Sequence, residues 1–246
     1  MTDEAIPAAT LIMVRERPDG APEVLMVERA GRMAFAAGAL VFPGGRIDDA
    51  DVDLAAEIGS DAALVAAIRE TLEETAIAVG LEPVPDRASA LDLQQKLLGG
   101  AALGDLLRSA GLAVQSAALQ PFARWVPQFH AVRRFDTMFY VAKAPPGDWQ
   151  PNVVAGECAG AEWVPAAEVL ERERLGQARL IFPTRRTLER LAQHGSFHEI
   201  QADALAHPVE AITPWVEDYD GTSFITIPDH LGFPVVRERL DGLWRG

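Results

Sequence analysis

The spacing of apolar positions near the N-terminus predicts two strands joined by a hairpin. Residues 9–14 and 24–28 are mostly apolar runs, and the Arg-Pro-Asp-Gly segment at 17–20 lies between them. Proline and glycine in such a segment favour a turn between neighbouring strands. A further apolar run at 38–42 predicts a third strand, which Pro43 ends.

After residue 60 the apolar spacing becomes helical. Ser60 or Asp61 fits the N-cap of a helix that we expect to extend to residue 79. Its apolar positions share one side, as the core-facing stripe of a helix does. They are Leu64, Val65, Ile68, Leu72 and Val79. The small side chains of Ala62, Ala63 and Ala66 lie on the other side, where a second backbone segment or a ligand could approach.

Three glutamates share the side of the helix opposite the apolar stripe. Glu70, Glu73 and Glu74 have the spacing i, i+3, i+4 and fall within an arc of about 100°. Carboxylates this close repel each other unless cations lie between them. Such oxygen ligands suit Mg²⁺ or Mn²⁺, with phosphate oxygens completing the shell. The alternative is a solvated face, on which Arg69 and Glu73 form an ordinary ion pair.

The Phe-Pro-Gly-Gly segment at 42–45 favours the metal interpretation. Gly44 and Gly45 permit a tight turn with an exposed carbonyl group. A backbone carbonyl beside three carboxylates makes a site for a hard cation. We therefore expect the carbonyl oxygen of Gly44 or Gly45 to join the glutamates around the metal.

The rest of the chain predicts further helices and strands. An acidic insertion at 48–60 is expected to be a solvated loop, with cation binding as the alternative. Residues 86–112 predict two inserted helices, broken at Gly99 and Gly100, that act as a lid, as a dimer surface or only as a cover for the sheet. Strands are predicted at 122–126, 137–142 and 162–164, helices at 165–172 and 183–193, and a strand-rich tail at 197–246, with strand positions at 200, 224–227 and 235–239.

Composition narrows the class of protein. A chain of 246 residues with 49% hydrophobic and 24% charged residues is typical of a globular protein. The formal net charge of −14 argues against nucleic acid or an anionic membrane as the main partner. A single cysteine excludes an intramolecular disulfide framework, and neither a membrane-spanning run nor a signal peptide is evident. We expect a cytoplasmic protein.

These motifs resemble the Nudix hydrolases, whose box is G-x5-E-x7-R-E-U-x-E-E-x-G-U, where U is a bulky aliphatic residue. The chain matches at Gly45, Arg69, Glu70, Glu73, Glu74 and Ile77. Gly45 and Arg69 are 24 positions apart (69 − 45), ten more than in the box, and Asp61 stands eight positions before Arg69. Thr71 replaces an aliphatic residue, and Ala76 replaces the box glycine.

The long spacing resembles an interrupted-box branch of the family that is related to the peroxisomal coenzyme A diphosphatases. Stretches at 35–48, 124–140 and 157–170 are also similar to that branch. The resemblance implies an α/β (α+β) fold, with a mixed β-sheet between helices, the helical insertion at about 86–112 and a strand-rich C-terminal extension. It implies a hydrolase domain at 8–195, with the extension at 196–246 packed on it.

The resemblance also implies roles for individual residues. Glu70 and Glu74 are expected to bind the metal, with Glu73 helping a second ion and taking part in catalysis. Arg69 is expected to position Glu73. Glu157 is the candidate for a further acid that acts as general base or ligand, and the alternative is a loop acid with no role.

Substrate contacts are sought among the arginines and aromatic residues outside the helix. Arg133 and Arg134 precede a strand, and Arg29 and Arg32 precede the Phe-Pro-Gly-Gly segment. Each could hold a phosphate group through paired hydrogen bonds, or could be a surface charge. The aromatic candidates are Trp125 and Phe129, which could stack on adenine or belong to the core, and His130 is a base candidate without an evident partner.

The functional expectation is a metal-dependent diphosphatase that cleaves a nucleoside diphosphate linked to another moiety. Coenzyme A or its acyl esters are the first substrates that the resemblance suggests. The alternatives are an enzyme for dinucleotides or nucleotide sugars and a non-catalytic nucleotide sensor. Many family members are dimers, so a homodimer is one expectation for the assembly.

Overall fold

The computed structural model describes residues 5–30, 38–126, 134–154 and 158–240. The strands of these residues are β1 (Ile6–Arg15), β2 (Glu23–Arg29), β3 (Leu40–Val41), β4 (Gly44–Arg46), β5 (Leu81–Glu82), β6 (Ala113–Val114), β7 (Leu119–Trp125), β8 (Phe135–Lys143), β9 (Cys158–Pro165), β10 (Ala211–Ile212), β11 (Trp215–Tyr219), β12 (Thr222–Thr226) and β13 (Arg237–Arg239). The helices are α1 (Asp49–Ile58), α2 (Ala62–Thr75), α3 (Arg87–Leu98), α4 (Leu103–Ala110), α5 (Ala166–Arg174), α6 (Phe182–Leu191) and α7 (Phe197–Ala206).

The predicted N-terminal hairpin is confirmed and forms the centre of the main sheet. Strands β1 and β2 are antiparallel, with Val14 opposite Val24 and Arg15 opposite Glu23. Strand β1 also pairs in parallel with β8 along its length and antiparallel with β4 near its N-terminal end. The sheet has the order β10-β7-β8-β1-β2-β3, and β9 pairs with β2. The glycines of β4 therefore lie beside the central strand.

Alternating side chains of β1 contribute to two separate cores, as the period of a strand dictates. Leu11 and Met13 pack with residues of α1, α2, α3 and α4. Ile12 and Val14 pack on the other face with residues of α5, α6 and α7. The sheet is thus enclosed by a helical layer on each face, and the predicted α+β fold class with a mixed sheet is confirmed.

The glutamate-bearing helix α2 begins as predicted and ends earlier than predicted. Asp61 caps it by accepting a hydrogen bond from the Ala63 amide at 2.9 Å. The predicted apolar stripe is buried in the core. The helix ends at Thr75 rather than at residue 79, because Ala76 has the left-handed conformation with φ of 53°. Ala76 occupies the position of the box glycine, the residue that adopts this conformation without steric cost.

The expectation of a solvated loop at 48–60 is wrong. Residues 49–58 form α1, which packs against α2 through Leu54 and Ala55. The acidic side chains of this segment differ in burial, since Asp51 is only 1% exposed whereas Asp49 is exposed. A buried acid needs a partner, and the partner of Asp51 is Arg69.

The inserted helices at 86–112 are confirmed as α3 and α4, which contact α2 and α1 respectively. The predicted strand at 162–164 lies in the C-terminal half of the longer β9. In the tail, Ile200 lies in α7 and not in a strand, because it packs with Leu188 and Leu191 on the helical side of the second core. The strands predicted at 224–227 and 235–239 correspond to β12 and β13, and the boundary at 195/196 stays a prediction.

No helix within the described ranges combines the length and the apolar character needed to cross a membrane.

A charged network ties α5, α6 and β13 together. Arg185 donates to Glu173 at 2.7 Å and also to Glu238. Arg186 donates to Glu238 at 2.7 Å and to Glu189 at 2.9 Å. The Glu189 side chain is largely buried, and desolvation outweighs the attraction of Arg186, so the pKa of this carboxyl is raised to about 7.

Because the folded-state pKa of Glu189 lies above its ordinary value of 4.5, the folded state favours the protonated form. The associated stability is fully present below pH 4.5 and is lost as the pH rises through about 7. We expect the melting temperature of the wild type to fall between pH 6 and pH 8 by more than that of Glu189→Gln. Glu171→Gln is the control, because the pKa of its exposed carboxyl is lowered. Equal slopes for wild type and Glu189→Gln would contradict this assignment.

Candidate active site around Arg69

Arg69 of α2 lies at the centre of a network that joins three segments of the chain. Its Nε and Nη2 atoms donate to the two carboxylate oxygens of Asp51, each at 2.9 Å. Nη2 also donates to the carbonyl oxygen of Arg46 at 2.9 Å. Nη1 lies 3.1 Å from Glu73 Oε2 and 3.0 Å from Glu70 Oε1. The guanidinium group thereby fixes α1, β4 and two of the three glutamates relative to one another.

Arg69 stays protonated although its side chain is only 10% exposed. Burial by itself lowers the pKa of a guanidinium, but the hydrogen bonds that Arg69 donates to Asp51 and the negative charges of Glu70 and Asp51 outweigh that effect. The pKa of Arg69 is therefore raised above its ordinary value. A permanent positive charge beside the glutamates offsets part of their mutual repulsion.

Two glycines of β4 allow the backbone to approach the helix closely. A Cβ atom at Gly45 would lie 2.3 Å from Glu70 Oε1, and one at Gly44 would lie 2.3 Å from the Ala9 carbonyl oxygen. Both distances are far below van der Waals contact, so a side chain at either position would displace its neighbour. The Gly44 amide donates to Glu74 Oε2 at 3.1 Å. The strand thus contacts two glutamates directly.

The register of β4 distinguishes the two carbonyl groups that the sequence left open. Leu11 N donates to Pro43 O at 2.9 Å, and Ile47 N donates to Pro7 O at 3.1 Å. Hydrogen-bonded pairs alternate along an antiparallel ladder, which makes Gly45 and Ala9 the next such pair. Gly44 lies in a pair without ladder hydrogen bonds, so its N–H and C=O groups point away from β1. The hydrogen bond from its N–H group to Glu74 agrees with this orientation. Gly44 is accordingly the better candidate for a carbonyl ligand.

The glutamate face of α2 is half-buried and is not a solvated surface. The Glu70 side chain is 14% exposed and that of Glu73 is 24% exposed. The ion pair between Arg69 and Glu73 belongs to the network described above, which sets it apart from an ordinary surface pair.

The donor set fits a hard divalent cation in its chemistry. Glu70 and Glu74 lie one helical turn apart and offer carboxylate oxygens beside the outward-facing Gly44 peptide. Within the described ranges, no three His, Cys, Asp or Glu side chains form a metal-holding group. Mg²⁺ commonly binds through one or two carboxylates and completes its shell with water and substrate phosphate. These residues match that mode of binding.

The other predicted site residues have different outcomes. Glu157, Arg32 and Arg133 lie outside the described residues, as do Phe129 and His130. Arg134 directly precedes β8, and its carbonyl oxygen accepts a hydrogen bond from the Ile6 amide at 2.8 Å. Arg29 ends β2 opposite Cys158.

Stacking of Trp125 on a nucleotide base is excluded by its burial. The side chain is 1% exposed and contacts the rings of Phe182 and Phe233 edge-on, at centroid distances of 6.0 and 5.3 Å. The interpretation of Trp125 as a core residue is confirmed.

Asp51 is the residue of the site that sequence reasoning missed. It stands six positions after Gly45 and so keeps the G-x5-acid spacing of the box, with aspartate in place of glutamate. The additional residues lie between Asp51 and Arg69, in the rest of α1 and its connection to α2. Asp61, which stands eight positions before Arg69, instead caps α2 and accepts a hydrogen bond from the Tyr140 hydroxyl at 2.9 Å.

Comparison with known proteins supports the fold. The chain matches no family model. A 70-residue segment is 41% identical to an uncharacterized Nudix hydrolase NudL of Cronobacter sakazakii; it spans 28% of this chain and 31% of that protein. The chain therefore covers about a third of the length of this curated relative.

The solved structures give a longer match. A NUDIX hydrolase from Alicyclobacillus acidocaldarius is 28% identical, with a TM-score of 0.70 over 82% of this chain and 97% of that one. The NUDIX domain of Shewanella oneidensis NrtR, solved with ADP ribose, is 16% identical, with a TM-score of 0.47 over 77% of this chain and 87% of that one. This second similarity is too low to indicate a ligand here.

The likeness to the Alicyclobacillus structure extends over most of both chains and supports the observed fold, whereas the match to the Cronobacter protein is local. Both similar proteins are named as Nudix hydrolases.

Proposed function

We propose that the chain is a divalent-metal-dependent hydrolase that cleaves the pyrophosphate bond of a nucleoside diphosphate linked to another moiety. Coenzyme A or an acyl-coenzyme A is the first substrate class to test, because the extended box resembles that branch. The observation that carries the proposal is the contact between the glutamates of α2 and the glycines of β4, held by the buried pair of Arg69 and Asp51.

The residues of the network would bind the metal ions and hold the carboxylates in place. A bound Mg²⁺ or Mn²⁺ would neutralise charge on the pyrophosphate and favour attack by water at phosphorus. Glu70 and Glu74 would supply carboxylate oxygens to the ion, and Gly44 would supply its carbonyl oxygen. Glu73 would help to hold a second ion, while Arg69 keeps the carboxylate of Glu73 in place.

The proton released by the attacking water needs an acceptor. Glu157 remains the candidate for this base, since the described acids of the site already accept hydrogen bonds from Arg69 or Gly44.

Arg134 and Arg29, together with Arg133 and Arg32, are the candidates for contacts with substrate phosphates. In hydrolysis, the water oxygen forms a bond to one phosphorus while the bridging P–O bond breaks and the second phosphate leaves.

A substrate panel tests this proposal. Purified protein would be incubated with coenzyme A, acetyl-coenzyme A, ADP-ribose, NADH and a dinucleoside polyphosphate, each with Mg²⁺, Mn²⁺ or EDTA, and the products resolved by chromatography. We expect metal-dependent formation of two phosphate-bearing products from at least one compound. Binding without turnover across the panel would instead indicate a nucleotide sensor, and the proposed hydrolase would then be wrong.

Glu74→Gln tests the assignment of the metal ligands. We expect kcat to fall by about 10²-fold or more, because an amide is a poor ligand for Mg²⁺. The melting temperature should change little, since the amide oxygen can still accept the hydrogen bond of Gly44. Glu82→Gln is the matched control, because Glu82 is exposed. A large loss of stability with retained turnover would show that Glu74 is structural.

Asp51→Asn tests the anchor of Arg69. The new amide group would present N–H donors to a guanidinium that needs acceptors. We expect the free energy of unfolding to fall by about 3 kcal/mol, the lower end of the cost of breaking a buried ion pair. Activity should fall as well, because Arg69 would lose its fixed orientation.

Asp49→Asn provides the comparison for Asp51→Asn, since both acids lie in the first turn of α1 and Asp49 is exposed. Urea unfolding and turnover would be measured for both variants. Similar stability and activity in the two would contradict the anchoring role of Asp51.

A further inference from the structure

Two carbonyl groups at the C-terminal end of α2 are bound by distant parts of the chain. The last four carbonyls of a helix have no partner inside it and need one elsewhere. Leu72 O accepts from the Ala76 amide at 2.9 Å, and Thr75 O accepts from the Asn152 amide at 2.8 Å. Glu73 O accepts from the Gln94 side chain at 2.9 Å. The turn that carries Glu73 and Glu74 is thus fixed from outside the helix.

Gln94 lies in the inserted helix α3 and is fully buried. Its Nε2 atom donates to Glu73 O and, at 2.8 Å, to Asn152 O. Its Oε1 atom accepts from Asn152 Nδ2 at 2.7 Å. Both N–H groups and the carbonyl oxygen of this amide therefore have partners. A buried amide that is fully hydrogen-bonded specifies one arrangement of its neighbours, because any other leaves polar groups unpaired.

A second side chain of α3 reaches the same helix end. Arg87 Nη1 donates to Ala76 O at 3.2 Å, directly after the last residue of α2. The inserted helix thus contacts the main chain of α2 on both sides of Glu74, at Glu73 and at Ala76. Helix α3 therefore forms hydrogen bonds to the end of α2 through two of its side chains.

We propose that Gln94 is a positioning residue for the glutamates of α2, which it reaches through their main chain. The inference rests on the proposed hydrolase function. Gln94 holds the peptide group of Glu73, and Arg69 and Gly44 hold the carboxylates of Glu73 and Glu74. The helical turn that carries Glu73 and Glu74 is therefore held by hydrogen bonds both to its main chain and to its side chains. Loss of the hydrogen bond from Gln94 to Glu73 O lets this turn shift relative to β4 and weakens the metal site.

Gln94→Met tests the proposal, because methionine has a similar length and no hydrogen-bonding amide. We expect the Mn²⁺ concentration for half-maximal activity to rise, and kcat/KM to fall, by about 10- to 100-fold, as for partners that orient metal ligands. Mn²⁺ binding without substrate, followed by the electron paramagnetic resonance of the free ion, should weaken in parallel. Gln94→Glu should behave similarly, because it replaces the required donors with an acceptor.

Leu107→Ala in α4 is the matched control. Leu107 is 3% exposed in the same inserted helix pair, and its side chain makes no hydrogen bond. We expect this variant to lose stability while its Mn²⁺ dependence stays that of the wild type. Should Gln94→Met fail to fold, Asn152→Ala replaces it, since that change removes only the partner of Gln94 Oε1 and should raise the Mn²⁺ requirement in the same direction.

The outcomes separate this inference from the proposed function. A wild type that hydrolyses no member of the panel would overturn both. An active wild type whose Gln94→Met variant keeps the wild-type Mn²⁺ dependence would overturn the positioning role alone. An equal change in Mn²⁺ dependence in Leu107→Ala would also overturn it, because general loosening of the insertion would then explain the result.

Discussion

The buried ion pair between Arg69 and Asp51 is the interaction on which the candidate site depends. Two parallel hydrogen bonds of 2.9 Å join the side chains, and the Asp51 side chain is almost completely buried. Such a pair contributes little net stability compared with apolar packing, but the removal of one partner is costly. Its value lies in specifying geometry, since a planar guanidinium accepts carboxylates only in fixed directions.

The remaining contacts follow from that geometry. Because Arg69 is fixed on α2, its Nη1 atom orients Glu70 and Glu73, and its hydrogen bond to Arg46 O holds the end of β4. The glycines of β4 then lie close enough to contact Glu70 and Glu74. The site thus combines a strand, two helices and, through Gln94, an inserted helix.

Much of the fold could be predicted from residue periodicity. The hairpin of β1 and β2 and the apolar stripe of α2 can be predicted, because the period of a strand or helix determines which side chains face a core. The early end of α2 was not accessible, because Ala76 is an ordinary helix former by propensity and its left-handed conformation is set by the surrounding chain. Ile200 was assigned to a strand because a single apolar residue carries no period, and tertiary packing places it in α7.

The site was partly predictable for a similar reason. The spacing of the three glutamates and two glycines along the chain could be recognised in the sequence. The acid that contacts Arg69 depends on where the additional residues are inserted, which the sequence does not show. Asp61 has the right distance from Arg69, but Asp51 has the right distance from Gly45, and only the structure shows which spacing is kept. The role of Gln94 leaves no sequence signal, because it depends on a contact between distant segments.

We propose that the glutamates of α2 and the Gly44 peptide of β4 together bind a divalent cation. Anomalous diffraction from crystals soaked with Mn²⁺ and a methylene-bridged pyrophosphate analogue measures this directly. We expect a Mn²⁺ peak within about 2.5 Å of oxygens of Glu70 and Glu74 and of the Gly44 carbonyl. A peak at other residues, with Glu70 still bound to Arg69 and Glu74 still bound to the Gly44 amide, would contradict it.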